Sequence, residues 1–257
     1  MPANLYDYPR YYDLVFGADW KREFQFLRKV FQHVVSGAVR RVFEPACGTG
    51  RLLVRMARSG YDAIGLDLNP RAVAFCNQRL ARYGLPPAAQ VGDMADFALP
   101  RPADAAYNMI NSFRHLLTES QAASHLECMA KAVRPGGVYV LGLHLTPTEG
   151  TPLDEESWQA RRGRLHVRTH LKTFELNLRR RRERCQMTMD IHTPRQTFQI
   201  VDELVFRTYT WPQLSRLLAS VPAWQLLGTY DFHYAWDRPI TVGPQTQDVV
   251  LLLQRTP

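Results

Sequence analysis

No apolar run in the 257-residue chain approaches the ~20 residues needed to cross a bilayer as a helix, so no membrane span is expected. Met1 to Arg10 is polar and aromatic and lacks the basic start and apolar stretch of a secretory signal. The four cysteines, Cys47, Cys76, Cys128 and Cys185, are scattered and include no Cys-x-x-Cys pair. They read as reduced, mostly buried thiols of a cytoplasmic protein, Cys47 being a packing residue. No metal site is expected. No internal repeat and no low-complexity linker divides the chain, so residues 1–257 read as one α/β domain with an insert.

Charge of one sign is in excess. The formal net charge is +8, concentrated where Arg161, Arg162, Arg164, Arg168 and Lys172 precede a run of Arg179 to Arg182 and Arg184. Such a patch can hold phosphates. It is read first as the solvated face and turn of an antiparallel sheet, since no aromatic-interleaved RNA-binding signature stands beside it.

The most informative stretch is Val-Phe-Glu-Pro-Ala-Cys-Gly-Thr-Gly at 42–50, followed 17 residues beyond Gly50 by Asp67. A strand at 41–45 runs into a turn built from Ala46, Gly48 and Gly50, and a helix opens near Arg51. Small residues let backbone approach a ligand closely, and a helix start presents free N–H groups. A carboxylate ending the next strand can accept both hydroxyls of a ribose. The dinucleotide pattern Gly-x-Gly-x-x-Gly is absent, because Arg51, Leu52 and Leu53 follow Gly50.

Strands and helices then alternate: helix 50–59, strand 62–67, helix 70–83, strand 88–91, strand 104–110, helix 118–133 and strand 137–144. Asn69-Pro70 starts one helix, and Arg134-Pro135-Gly136-Gly137 reads as the turn before the fifth strand. The alternation predicts a doubly wound, mostly parallel sheet. Residues 1–35 are expected to give an aperiodic aromatic segment and a helix from about Trp20 to Val35. Residues 150–207 should form an antiparallel insert of three strands with turns near 173–178 and 192–195. A helix from Thr210 to Ser220 and strands at 224–232 and 248–254 complete seven strands in the main sheet.

The stretch Glu-Pro-Ala-Cys-Gly-Thr-Gly resembles motif I of the class I S-adenosylmethionine-dependent methyltransferases, with Ala46 where a glycine is usual. The fold implied is the Rossmann-like methyltransferase sheet. The resemblance implies S-adenosylmethionine as cofactor and S-adenosylhomocysteine as product. Its contacts would be Ala46, Gly48 and Gly50 in the turn, Glu44 at the ammonium, and Asp67 with Leu68 beside it at the ribose. Asp93 and Met94 would meet the adenine. Asn111 and Ser112, in Asn-Ser-Phe-Arg-His-Leu, resemble a segment of glycine N-methyltransferase and related small-molecule enzymes, and would line the sulfonium side. Tyr11-Tyr12-Asp13 resembles the lid start of that group, with Tyr11 reaching the cofactor carboxylate.

Methyl transfer to nitrogen or oxygen of a small molecule is the activity implied, with nitrogen preferred. A base is needed only if the acceptor arrives protonated, and the candidates are His115, His144 and Tyr12. In related sugar-amine N-methyltransferases an added sheet after strand five covers the site or joins two subunits. By that analogy the insert's arginines would pair with an anionic acceptor, or protect the edge of a dimerising sheet. Trp158, His166, His170 and Tyr209 are further wall candidates. Two other readings remain: an RNA methyltransferase using the arginine patch, and a non-catalytic cofactor-binding regulator. Nucleic acid is otherwise not expected, because the Asn/Asp-Pro-Pro-aromatic motif of DNA amino-methyltransferases is missing.

Overall fold

The computed structural model describes residues 4–18 and 20–257; Met1 to Ala3, the start of the segment read for a secretory signal, lie outside the described residues. Two helices lead in. Pro9 opens α1 (Pro9–Phe16) and α2 runs Lys21–Val34, burying Phe26, Leu27, Val30 and Phe31 on one stripe. The first was not expected. Its apolar and aromatic residues pack against the inserted sheet, a partner far along the chain that the local sequence does not show.

From residue 41 the chain alternates as expected: β1 (Arg41–Pro45), α3 (Leu53–Arg58), β2 (Asp62–Asp67), α4 (Pro70–Ala81), β3 (Ala89–Val91), β4 (Ala103–Asn108), α5 (Glu119–Ala132) and β5 (Val133–His144). The central strands are apolar along their length because both faces are covered, with Val42, Phe43, Ala105, Ala106 and Tyr107 fully buried. Side-chain caps set the helix starts. Asn69 accepts from Arg71 and Ala72 N–H, and Thr118 and Gln121 form a capping box.

Two boundaries differ from the sequence reading. Residues 48–52 are turns, with Gly50 N–H on the Cys47 carbonyl, so α3 starts at Leu53 rather than near Arg51. Residues 134–137 are not a turn before β5 but an irregularity within it. Pairing jumps from Ala103↔Val133 to Ala105↔Val138, and Gly136 takes φ +75°.

The insert has four strands, not three: β6 (Glu155–Arg162), β7 (Leu165–Asn177), β8 (Arg182–His192) and β9 (Thr197–Arg207), paired in that order. β6 was missed because it is exposed at most positions and shows no alternation. The turn placed at 173–178 lies at residues 178–181, since β7 carries its pairing through Asn177. The inner face buries Val167, Met187, Met189, Ile191 and Ile200 against Leu5, Leu14 and Val15. Each fully buried side chain of this kind contributes about 1.5–3 kcal/mol.

A last helix, α6 (Trp211–Ala219), precedes β10 (Trp224–Tyr230) and β11 (Asp248–Arg255). The seven-stranded sheet has the order β10-β11-β5-β4-β1-β2-β3, with β11 antiparallel to both neighbours. Strand order reverses at β1 and β4, so a crevice opens beyond their carboxyl ends, where such sheets bind ligands. No helix among the described residues is long and apolar enough to cross a membrane.

Candidate active site

A cleft of about 1580 Å³ occupies that crevice and continues under the insert. Ligand pockets are commonly ~300–1,000 Å³, so there is room for two ligands side by side. Its floor is the turn after β1. The Asn108 amide holds the Pro45 carbonyl at 2.8 Å, and Cys47 N–H reaches the Leu66 carbonyl at 2.9 Å. Ala46, Gly48 and Gly50 all have left-handed backbone, with φ of +52°, +53° and +74°. For Ala46 this costs roughly 1–2 kcal/mol that glycine would not incur. Ala46 and Gly48 line the cleft, but Gly50 does not. Its lack of a side chain serves packing, because a Cβ there would lie 2.3 Å from Cys76 Sγ.

Asp67 ends β2 with one oxygen accepting from Gly48 N–H at 2.7 Å and the other from Asn69 N–H at 2.8 Å. A carboxylate has lone pairs left for two more donors, and these are free for a ligand diol. Burial raises its pKa, opposed by the two backbone donors. Beside it Leu68 is 73% exposed, and Asp93 and Met94, just past the adjacent end of β3, line the same cleft. Asp93 is braced by Ala95 N–H at 2.8 Å.

Glu44 is buried, and its Oε2 has no hydrogen-bond partner among the described residues. Burial, opposed by the Arg51 guanidinium, pushes its pKa well above the ordinary carboxyl range. Burial thus favours the protonated carboxyl, and a ligand ammonium seated beside it would favour the carboxylate and displace the proton. Affinity for a ligand carrying an ammonium should rise with pH until Glu44 of the free protein ionises, and fall below that point. Calorimetry with S-adenosylmethionine in buffers of different ionisation enthalpy should show proton release on binding that Glu44→Gln abolishes. Buffer-independent heat would contradict it.

The end of β4 is strained. Ile110 and Asn111 have φ of +55° and +65°, and both line the cleft. A β-branched residue in this region is uncommon and costs energy that a functional site can require. The Asn111 side chain accepts His144 N–H at 2.7 Å, tying the ends of β4 and β5 together. Ser112 also lines the cleft.

The wall opposite comes from the N-terminus and the insert: Tyr6, Tyr12, Phe16, Trp158, Leu171 and Phe206. The N-terminal segment is fastened at several points. Leu5 N–H bonds Asp202 at 2.8 Å, Asn69 bonds Asp7 at 2.8 Å, and Arg79 meets buried Asp13 at 2.6 Å. Tyr11 stays outside the cleft, against Tyr8 and Phe198, so Tyr6 and Tyr12 are the tyrosines that face it. Burial, partly offset by Arg51, lifts Tyr12 to about 12, which makes its hydroxyl a donor and not a base.

The two histidine candidates differ. His115 Nε2 meets the Tyr6 hydroxyl at 3.0 Å and its ring packs on Phe206. Burial, helped by neighbouring Arg114, pulls its pKa down to about 4, so it is neutral at pH 7. His144 Nδ1 lies 2.6 Å from Asp248, and its ring stands beside Phe232 at 5.1 Å between centroids. In the neutral ring a carboxylate behind Nδ1 fixes the tautomer and leaves Nε2 as the acceptor.

Of the other wall candidates Trp158 lines the cleft, whereas His166 and His170 bond Gln159 and Ser157 on the outer side of the insert. Tyr209 is fully buried against Phe113. The arginine run is largely occupied internally. Arg181 and Arg207 pair with Glu119, Arg182 bonds the Leu117 carbonyl, and Arg184 pairs with Glu175 and Glu203. Tyr6, Asp248 and the Arg114–Glu183 pair were not foreseen as site residues. Their roles arise from contacts 109, 104 and 69 residues apart in sequence.

Comparison with known proteins points the same way. Residues 42–137 match the family described as methyltransferase domain. Over 144 residues, 55% of this chain and 54% of the relative, the chain is 34% identical to a dTDP-3-amino-3,6-dideoxy-alpha-D-glucopyranose N,N-dimethyltransferase of Streptomyces fradiae. The chain thus spans about half the length of the curated relatives it matches. An S-adenosylmethionine-dependent methyltransferase of Clostridium acetobutylicum superposes with TM-score 0.79 at 15% identity, covering 99% of this chain and 100% of that one. The sugar N-methyltransferase KedS8 of a Streptoalloteichus species gives 0.75 at 19% identity, covering 97% and 93%. At these identities the likenesses establish the fold.

Proposed function

We propose that the chain is an S-adenosylmethionine-dependent methyltransferase acting on an amine of a small molecule, of the amino-sugar kind, since residues 42–137 match a methyltransferase domain and the fold is shared with methyltransferases of known structure. The observation that carries this reading is one continuous cleft with two chemically different ends. At one end Glu44, Asp67 and Asp93 offer acceptors for an ammonium, a ribose and an adenine amine, over a turn that leaves room for the ligand. At the other, His144 and His115 stand under an aromatic wall.

When bound, S-adenosylmethionine supplies a methyl group on a sulfonium that already carries a good leaving group. The chain's own work is to align the acceptor, keep water out and handle one proton. Glu44 meets the ammonium, Asp67 the ribose hydroxyls, and Asn111 and Ser112 border the reacting end. His144, oriented by Asp248, takes the proton from an acceptor ammonium so that nitrogen presents its lone pair. His115, neutral and bonded to Tyr6, helps hold the acceptor. Tyr6, Tyr12, Phe16 and Trp158 close the reaction space, and a dry, aligned pair of reactants is the main source of rate.

A homodimer through the insert would use its outer face, where Arg168 and Lys172 stand with His166 and His170. The arginine patch does not support the RNA reading, since Arg181, Arg182, Arg184 and Arg207 have acceptors within the chain. The test is a transfer assay with S-adenosylmethionine and a panel of amino sugars. The reading predicts stoichiometric S-adenosylhomocysteine and an N-methylated product. Cofactor binding with no product on any amine would favour the regulator reading instead.

A further inference from the structure

The acceptor end is charged oppositely to the chain. Formal net charge is +8, yet the only lysine or arginine residues lining the cleft, among the described residues, are Arg51 and Arg114. Both are engaged, Arg51 with the two oxygens of Glu23 and Arg114 with Glu183. The exposed part of the lining carries Asp154, Glu155, Glu156 and Glu175 instead. Glu155 and Glu175 have cations at hand in Lys172 and Arg184. Asp154 and Glu156 have no ion-pair partner among the described residues. Interleaved with them, Leu153, Phe174 and Leu176 leave 61%, 51% and 38% of their surface exposed. A rim both acidic and apolar repels phosphate and favours a cation with an apolar body.

We propose that the acceptor is a cationic amine carried on an apolar scaffold and presented without a phosphate group. This rests on the reading of the cleft as a methyl-transfer site. A nucleoside-diphosphate-linked amino sugar would bring two phosphates past carboxylates, with no uncommitted arginine or lysine in the lining to receive them. An apolar glycoside of the same sugar would place its amine toward His144 and its tail over Leu153, Phe174 and Leu176. Of the two roles the sequence offered for the insert's arginines, pairing with an anionic acceptor gives way to this proposal.

The experiment titrates protein loaded with S-adenosylhomocysteine with one amino sugar in two forms, its dTDP conjugate and its octyl glycoside. The octyl glycoside should bind at least about tenfold more tightly, a difference that weakens as salt screens the rim. Asp154→Lys combined with Glu156→Lys should narrow or invert that preference. Equal or tighter binding of the dTDP conjugate, or no binding of either form to the loaded protein, overturns the proposal while leaving the methyl-transfer reading standing. Failure of S-adenosylhomocysteine itself to bind would remove the methyl-transfer reading, and this inference with it.

Discussion

His144→Ala should lower kcat on an amine acceptor by about 10²–10⁴-fold near pH 7 while leaving S-adenosylmethionine affinity almost unchanged. An aliphatic ammonium of pKa ~10.4 has no lone pair for attack at that pH, so something must take its proton. The proposed acceptor of that proton is His144, with Nδ1 on Asp248 at 2.6 Å and its backbone N–H on Asn111 at 2.7 Å. The deficit should shrink as the assay pH approaches the pKa of the acceptor, because the amine then arrives deprotonated. His115→Ala should cost less, its Nε2 being already bonded to Tyr6. Unchanged kcat in His144→Ala, or a deficit that stays constant up to high pH, would rule out the proton-acceptor role.

Asp67→Ala should weaken S-adenosylmethionine binding by about 1–3 kcal/mol, roughly 5- to 150-fold, by removing charge-assisted hydrogen bonds to the ribose. Asp67 also accepts from Gly48 and Asn69 N–H, so its loss leaves two donors of the turn without their partner. Thermal melting of the ligand-free variant separates the two effects. A modest fall in Tm with a larger fall in affinity is expected, measured by calorimetric titration. Unchanged affinity would overturn the placement of the ribose at the end of β2.

The floor of the cleft was legible in the sequence because its geometry is local. Strand, turn and Asp67 lie within 27 residues, and the glycines at 48 and 50 mark left-handed backbone directly, although Ala46 does not. Even there the assignment was finer than the local signal allowed. Gly50 packs against Cys76 in α4 and does not line the cleft. The opposite wall was legible only in part: His115, His144, Tyr12 and Trp158 were singled out and line the cleft, but the partners that orient them are brought in by pairing of distant strands. Asp248 faces His144 only because β11 runs antiparallel to β5 in that register. Tyr6 and Tyr11 are chemically alike, and only the rotation of the N-terminal segment against the insert decides which one enters the cleft. The arginine run left a phosphate site open beside its first reading as a solvated sheet face, because its partners, Glu119 and Glu203 among them, lie far away or on another strand.

The central claim is that the turn after β1 holds S-adenosylmethionine, and calorimetric titration tests it most directly, with S-adenosylhomocysteine and NAD as controls. The account predicts micromolar-range binding of both sulfur compounds, about −8 kcal/mol at 1 μM, and none of NAD. Binding of NAD in their place, or of neither sulfur compound, would contradict it.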